Sequence, residues 1–201
     1  MTPCHHVIAR ILATTLLAAA LLHGGPAALA QTDPAQQPPL SPAEKEAERN
    51  VRLKIATDGL EKLYKLYPDA QKAVETATGY AVFDITSTYA ILFVGQKGKG
   101  ALFDNKTKKP VYMSSLRAGT GPGIGRQRVF QVFVFKSKSA MDQFVLAGGT
   151  GGDISASYST GTGGTSYSFN PDINIYQIPE SGMAVQASWG GTVYSVDKQL
   201  D

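Results

Sequence analysis

The chain has 201 residues, is 43% hydrophobic and 17% charged, and carries a formal net charge of +3. That apolar fraction excludes a wholly disordered polymer. The single cysteine, Cys4, excludes an intrachain disulfide, and because His5, His6 and His23 are the only histidines, the chain beyond residue 23 lacks both residue types.

Arg10 and two histidines precede the apolar run Ile11 to Leu22, which is followed by Gly24, Gly25, Pro26 and the small-residue site Ala28-Leu29-Ala30. A bilayer-spanning helix needs roughly 20 apolar residues, so this shorter run reads as a cleaved secretory signal over residues 1–30. The mature chain from Gln31 then has 171 residues, the size of one domain, and contains neither cysteine nor histidine. It can host no thiol nucleophile, no His-assisted serine triad and no Cys/His zinc site. No cysteine follows the apolar run to accept a lipid. The expectation is a non-enzymatic protein exported across the inner membrane to the periplasm, with no cofactor and no catalytic or metal-binding residues.

Residues 31–40 (QTDPAQQPPL) are rich in Pro and Gln and read as a flexible linker, leaving a single domain over residues 41–201. Ser41-Pro42-Ala43-Glu44 supplies an N-cap hydroxyl, a proline at the first helical position and a glutamate placed to close a capping box. Leu53, Ala56, Leu60, Leu63 and Tyr67 follow at helical spacing up to Pro68, and a second short helix is predicted from Asp69 to Thr76 with Gly79 as its stop. Beyond Gly79 the pattern changes to short apolar runs rich in β-branched and aromatic residues. Strands are predicted at 80–85, 89–94, 100–103, 111–114, 129–135, 154–158, 166–169, 173–177, 183–188 and 192–196. One helix interrupts them, opened by Ser139-Ala140-Met141-Asp142 and closed by Gly148 and Gly149. The class is α+β: N-terminal amphipathic helices packed on a large, mostly antiparallel β-sheet or open barrel.

Charge is unevenly distributed. Lys97, Lys99, Lys106, Lys108, Lys109, Arg117, Arg126, Arg128, Lys136 and Lys138 face one acid, Asp104, within the segment from 97 to 138. The rest of the mature chain has eight Lys or Arg against fifteen Asp or Glu. A basic middle between acidic flanks points to an anionic partner, either lipid head groups or nucleic acid. Export and the lack of a basic recognition helix argue against nucleic acid. Lys97, Lys99, Lys106, Lys108 and Lys109 are expected on two neighbouring hairpin turns flanking the strand 100–103, with Arg117, Arg126 and Arg128 completing a head-group site. The glycine runs 119–125 and 148–152 match neither the dinucleotide fingerprint nor a P-loop and read as turns. Ser137-Lys138-Ser139 is the nearest Ser/Lys pairing, and Ser139 is explained as a helix cap.

The order of motifs resembles the SYLF domain, a lipid-binding family. The matching stretches are Pro68-x-Ala70 leading into Ala77-Thr78-Gly79-Tyr80-Ala81-Val82-Phe83, then Phe93-Val94-Gly95 and Gly98-Lys99-Gly100-Ala101-Leu102. Gly123-Ile124-Gly125 precedes Phe130 to Phe135, followed by Phe144, Gly152-Asp153-Ile154-Ser155-Ala156, Ile175-Tyr176, Gly182-Met183-Ala184-Val185 and Gly190. Tyr112 stands where the family has tryptophan. The resemblance implies lipid binding, with phosphoinositides bound by eukaryotic members and actin by fungal ones, and envelope-associated lipid binding in bacteria. The expected partner is therefore an anionic lipid or membrane surface, held by the basic middle and by apolar contact from the helix stripe or from Tyr158 and Tyr167. The rival expectations are a structural or protein-interaction module of the envelope and a hydrolase with an unrecognised Ser/Lys site.

The signal assignment has a direct check. Intact-mass measurement of protein recovered from an exporting host should give a chain beginning at Gln31, because Ala28 and Ala30 occupy the minus-three and minus-one positions of the cut. Recovery of exported protein that retains residues 1–30 would overturn it.

Overall fold

The computed structural model describes residues 39–150, 153–155, 170–186 and 192–200. The predicted signal peptide, most of the linker, and the predicted strand at 166–169 lie outside these residues. In chain order the elements are α1 (Pro42–Leu66), α2 (Asp69–Thr76), β1 (Gly79–Asp104), β2 (Pro110–Phe135), α3 (Lys138–Thr150), β3 (Asp153–Ser155), β4 (Ile173–Gln186) and β5 (Thr192–Val196). The fold is α+β, helices on a sheet whose described pairings are all antiparallel.

Both N-terminal helices have the predicted bounds, but Gly79 is not the stop of α2: the helix ends at Thr76, Ala77 is already extended, and Gly79 opens β1 opposite Phe135. Ser41 caps α1 and forms the capping box with Glu44, whose carboxylate accepts from the Ser41 backbone N–H at 2.8 Å. The helix α1 buries Arg52, Ile55, Ala56, Gly59 and Leu63. Gly59 brings it close to the sheet: an added Cβ would stand 2.5 Å from Val82 Cγ1.

The sheet differs from the sequence expectation in the length of its strands. The runs 80–85, 89–94 and 100–103 are one strand of 26 residues, β1, and 111–114 joins 129–135 in the 26-residue β2. The two form one long hairpin, from the pair Gly79 and Phe135 to the pair Phe103 and Pro110. On its other side β2 pairs with β4 along residues 123–135 and with β5 along 113–117, and β5 pairs with β3.

The hairpin doubles over at its middle, so that the two halves of β1 meet. The Asn105 N–H donates to Thr78 O at 2.9 Å. An added Cβ at Gly100 would collide with the carbonyl oxygen of Val82 and the ring of Phe83, and one at Gly98 with Ser115 Oγ and Ile85. These two glycines therefore serve close packing within a strand and do not mark turns, which overturns the placement of Lys97 and Lys99 on hairpin turns.

Folding over gives the sheet two buried faces. On the inner face Ala81, Phe83, Ile85, Leu102, Met113, Phe133, Phe135 and Tyr194 pack with Met141 and Phe144 of α3. Ring centroids lie 5.0 Å apart for Phe83 and Tyr194 and 5.1 Å apart for Phe133 and Phe144, within the range of favourable aromatic pairs. On the outer face Val82, Phe130, Val132, Val134 and Ile178 pack under Ile55, Ala56 and Leu63 of α1 and Ala70 and Val74 of α2. A strand buried on both faces reads as a continuous apolar run, which is why Phe130 to Phe135 is almost wholly apolar.

The N-terminus of α3 also differs. Ser137, not Ser139, is the cap: its Oγ accepts from the Ala140 N–H at 3.3 Å and donates to Asp172 Oδ2 at 2.7 Å. Ser139 lies inside the helix and accepts from Gln143 Nε2. The helix continues through Gly148 and Gly149 to Thr150.

The last residues are fastened to α1. Arg52, 2% exposed, donates to Met113 O, to Asp197 Oδ2 at 2.6 Å and to Ser114 Oγ at 3.3 Å. Burial pulls its guanidinium below the usual arginine range, and the charges of Asp197 and Glu48 oppose that shift. Arg49 Nε donates to Leu200 O at 2.7 Å, and Leu40 N–H donates to Gln199 Oε1 at 3.0 Å. Leu40, placed in the flexible linker by its composition, is thus docked against buried Leu200.

Two substitutions test this packing by chemical denaturation. Gly100→Ala must push backbone aside and is expected to destabilise by about 1–3 kcal/mol, as overpacking does. Removing one partner from a buried ion pair costs about 3–5 kcal/mol. Arg52→Met should therefore cost a large part of that, reduced because Asp197 keeps a quarter of its side-chain exposure. An unchanged denaturation midpoint in either variant would contradict the packing described.

Candidate functional site

The hairpin bends because one strand carries an extra residue. Ile91 pairs with Gly123 and Phe93 with Thr120, so Leu92 alone faces Gly121 and Pro122. A bulge of this kind bends its strand and increases the local twist. It also changes which residues of β1 point inward: Ala81, Phe83, Ile85, Ser87 and Tyr89 are buried before it, and Val94, Gly98, Gly100 and Leu102 after it. The backbone conformations are unusual here. Gly121 and Gly125 have φ of 157° and 126°, and Ile91 has φ of 58°, which strains a β-branched residue.

The bend exposes apolar side chains. Ile91 is 74% exposed, Leu92 58%, Phe93 70% and Ile124 70%. Ile91, Leu92 and Phe93 lie between buried Tyr89 and Val94 on β1, opposite Thr120, Gly121, Pro122 and Gly123 of β2, a segment with no long side chain to lay across them; Ile124 follows on β2, paired with Ala90. The sequence pattern predicts a separate strand over 89–94 and a turn over 119–125, whereas both are parts of the bent hairpin. The available signal was the pairing itself, four successive apolar or small residues aligned with a glycine-rich partner.

The eight basic candidates fall into separate groups. Lys106, Lys108 and Lys109 lie on the turn between β1 and β2. Asp104 orders that turn by accepting from the backbone N–H groups of Thr107 and Lys106, which hold its carboxyl below the usual range. About twelve residues at ~3.3 Å each separate this turn from the bend, on the order of 40 Å along the strand. Lys99 lies mid-strand, its ammonium 2.9 Å from Glu48 of α1. Arg128 makes two hydrogen bonds to Asp84, at 2.8 and 2.6 Å, and this pairing raises its pKa.

Lys97, Arg117 and Arg126 lie nearest the bend. Arg117 is buried, 9% exposed, opposite Gln96. Lys97 and Arg126 are exposed and, among the described residues, have no carboxylate within ion-pair distance. Residues 85–103 and 110–135 contain five basic residues and no acid. The structure therefore does not assemble the five lysines into one cluster; among the described residues it leaves two cations without a carboxylate partner beside an apolar bend.

Leu63 is fully buried and Leu60 packs against the outer core, so the helix stripe is occupied by docking onto the sheet. Tyr158 and Tyr167 lie outside the described residues. Lys138 Nζ pairs with Asp142 at 2.8 Å, while Ser137 binds Asp172 and Ser139 binds Gln143. Neither hydroxyl has Lys138 as its partner. No described helix is long and apolar enough to cross a membrane.

No family model matches the chain. It is 31% identical over 147 residues to a curated protein of Aeromonas veronii, beta cell expansion factor A. The aligned region is 73% of this chain and 56% of that protein, so the chain spans little more than half the length of its relative.

Proposed function

We propose that this chain is an exported, non-enzymatic member of the SYLF family that binds anionic lipid at a membrane surface of the cell envelope. One observation carries the reading: Lys97 and Arg126 stand exposed, with no ion-pair partner among the described residues, on an acid-free stretch of hairpin. Each basic residue near an anionic membrane surface contributes about 1 kcal/mol, provided it is not already neutralised by a neighbouring carboxylate. Lys99 and Arg128 are so neutralised, and Lys106, Lys108 and Lys109 are at the far end of the strand. The ordered motifs from Pro68 to Gly190 and the similarity to the Aeromonas protein support the family assignment. The signal sequence supports the periplasm as the compartment.

Vesicle co-sedimentation with anionic lipid tests this reading. The double variant Lys97→Gln/Arg126→Gln should lose about 2 kcal/mol, a factor of about 30 in affinity. Lys106→Gln/Lys109→Gln, which removes the same charge at the far end of the strand, should lose less. Wild-type binding should weaken as salt is raised, since exposed charges are screened over about 8 Å at physiological ionic strength. Absence of wild-type binding to anionic vesicles, with salt-insensitive capture of a single envelope protein, would replace this reading with that of an interaction module.

A further inference from the structure

We infer that the bend of the β1–β2 hairpin is a membrane wedge: Ile91, Leu92, Phe93 and Ile124 enter the boundary between head groups and acyl chains while Arg126 and Lys97 stay with the phosphates. The inference rests on the lipid-binding reading above and adds the element that penetrates. Four large apolar side chains exposed together on a folded domain mark an interaction surface, because water gains nothing from contact with them.

The occupant follows from the charges around the patch. Residues 86–96 and 118–125 hold no side chain charged at neutral pH, so the bend can leave water without stripping an ion. The nearest charges behind it, Arg126, Lys97 and the buried Arg117, are all positive. That order, apolar tip then cations, matches an anionic bilayer, whose phosphates lie outside its hydrocarbon.

The dimensions fit shallow entry. Arg126 is two residues from Ile124, about 7 Å at the rise of a strand, and interfacial elements bury about 5–10 Å into the head-group and acyl boundary. Deeper entry would bury backbone groups that lack partners. The bulge limits that cost too, because Pro122, one of the two residues facing Leu92, has no N–H to satisfy.

A single environment-sensitive fluorophore decides the matter. Protein recovered from the exporting host with Cys4→Ser carries the label on Leu92→Cys, or on Lys108→Cys at the opposite end of the hairpin. Vesicles contain phosphatidylglycerol and phosphatidylcholine in equal amounts, with or without bromine on the acyl chains. The label at 92 should brighten, shift to the blue and be quenched by brominated chains, while the label at 108 stays unchanged. As a second line, Leu92→Asp/Phe93→Asp should weaken vesicle binding at least about tenfold with an unchanged melting midpoint, since exposed substitutions leave stability nearly unaltered. Co-sedimentation with an unresponsive label at 92 overturns the wedge and leaves lipid binding standing. Failure to co-sediment overturns both. A blue shift that grows with protein concentration in the absence of vesicles assigns the bend to a second copy of the chain and overturns the wedge.

Discussion

The fold depends on the two halves of β1 coming into backbone contact. Glycine at 98 and 100 removes the Cβ atoms that would strike Ser115, Val82 and Phe83, and only then can a 26-residue hairpin double over. From that contact follow an inner face filled by aromatic residues and α3, and an outer face flat enough for α1 and α2. The bend is the geometric remainder. A hairpin folded in half must turn sharply somewhere, and the residues on the convex side of the turn have no neighbour to bury them.

Much of the scaffold is legible in the residues. The Ser41–Glu44 capping box and Pro68 bound α1 because caps and breakers act locally, through the backbone groups of adjacent residues. The α+β class follows from the change of period after Gly79. The joining of short strands is not legible in the same way. Glycine is compatible with a turn, with close strand packing and with a bulge, and Gly98, Gly100 and Gly121 are distinguished only by what lies across from them.

The candidate site shows the same division. Charge can be counted along a sequence, and the basic middle is plain there. Whether a cation is available depends on partners far away in the chain: Glu48 neutralises Lys99 from 51 residues away and Asp84 neutralises Arg128 from 44. Arg52 is a further case: its spacing to Ala56, Gly59 and Leu63 puts it on the buried face of α1, but its acceptors, Asp197 and the Met113 carbonyl, are far away in the chain. The apolar run from Ile91 to Phe93 has the composition of a core strand and becomes surface only because Gly119 to Gly123 stands opposite.

The fastening of the C-terminal residues to α1 has a mechanical meaning. Arg49, Arg52 and Leu40 tie the start of the folded domain to Asp197, Gln199 and Leu200. Tension applied between the two ends of the domain is therefore carried across this short knot and not through the sheet. These few contacts would yield first, and β5, whose last residue immediately precedes Asp197, would be the next element to feel the load.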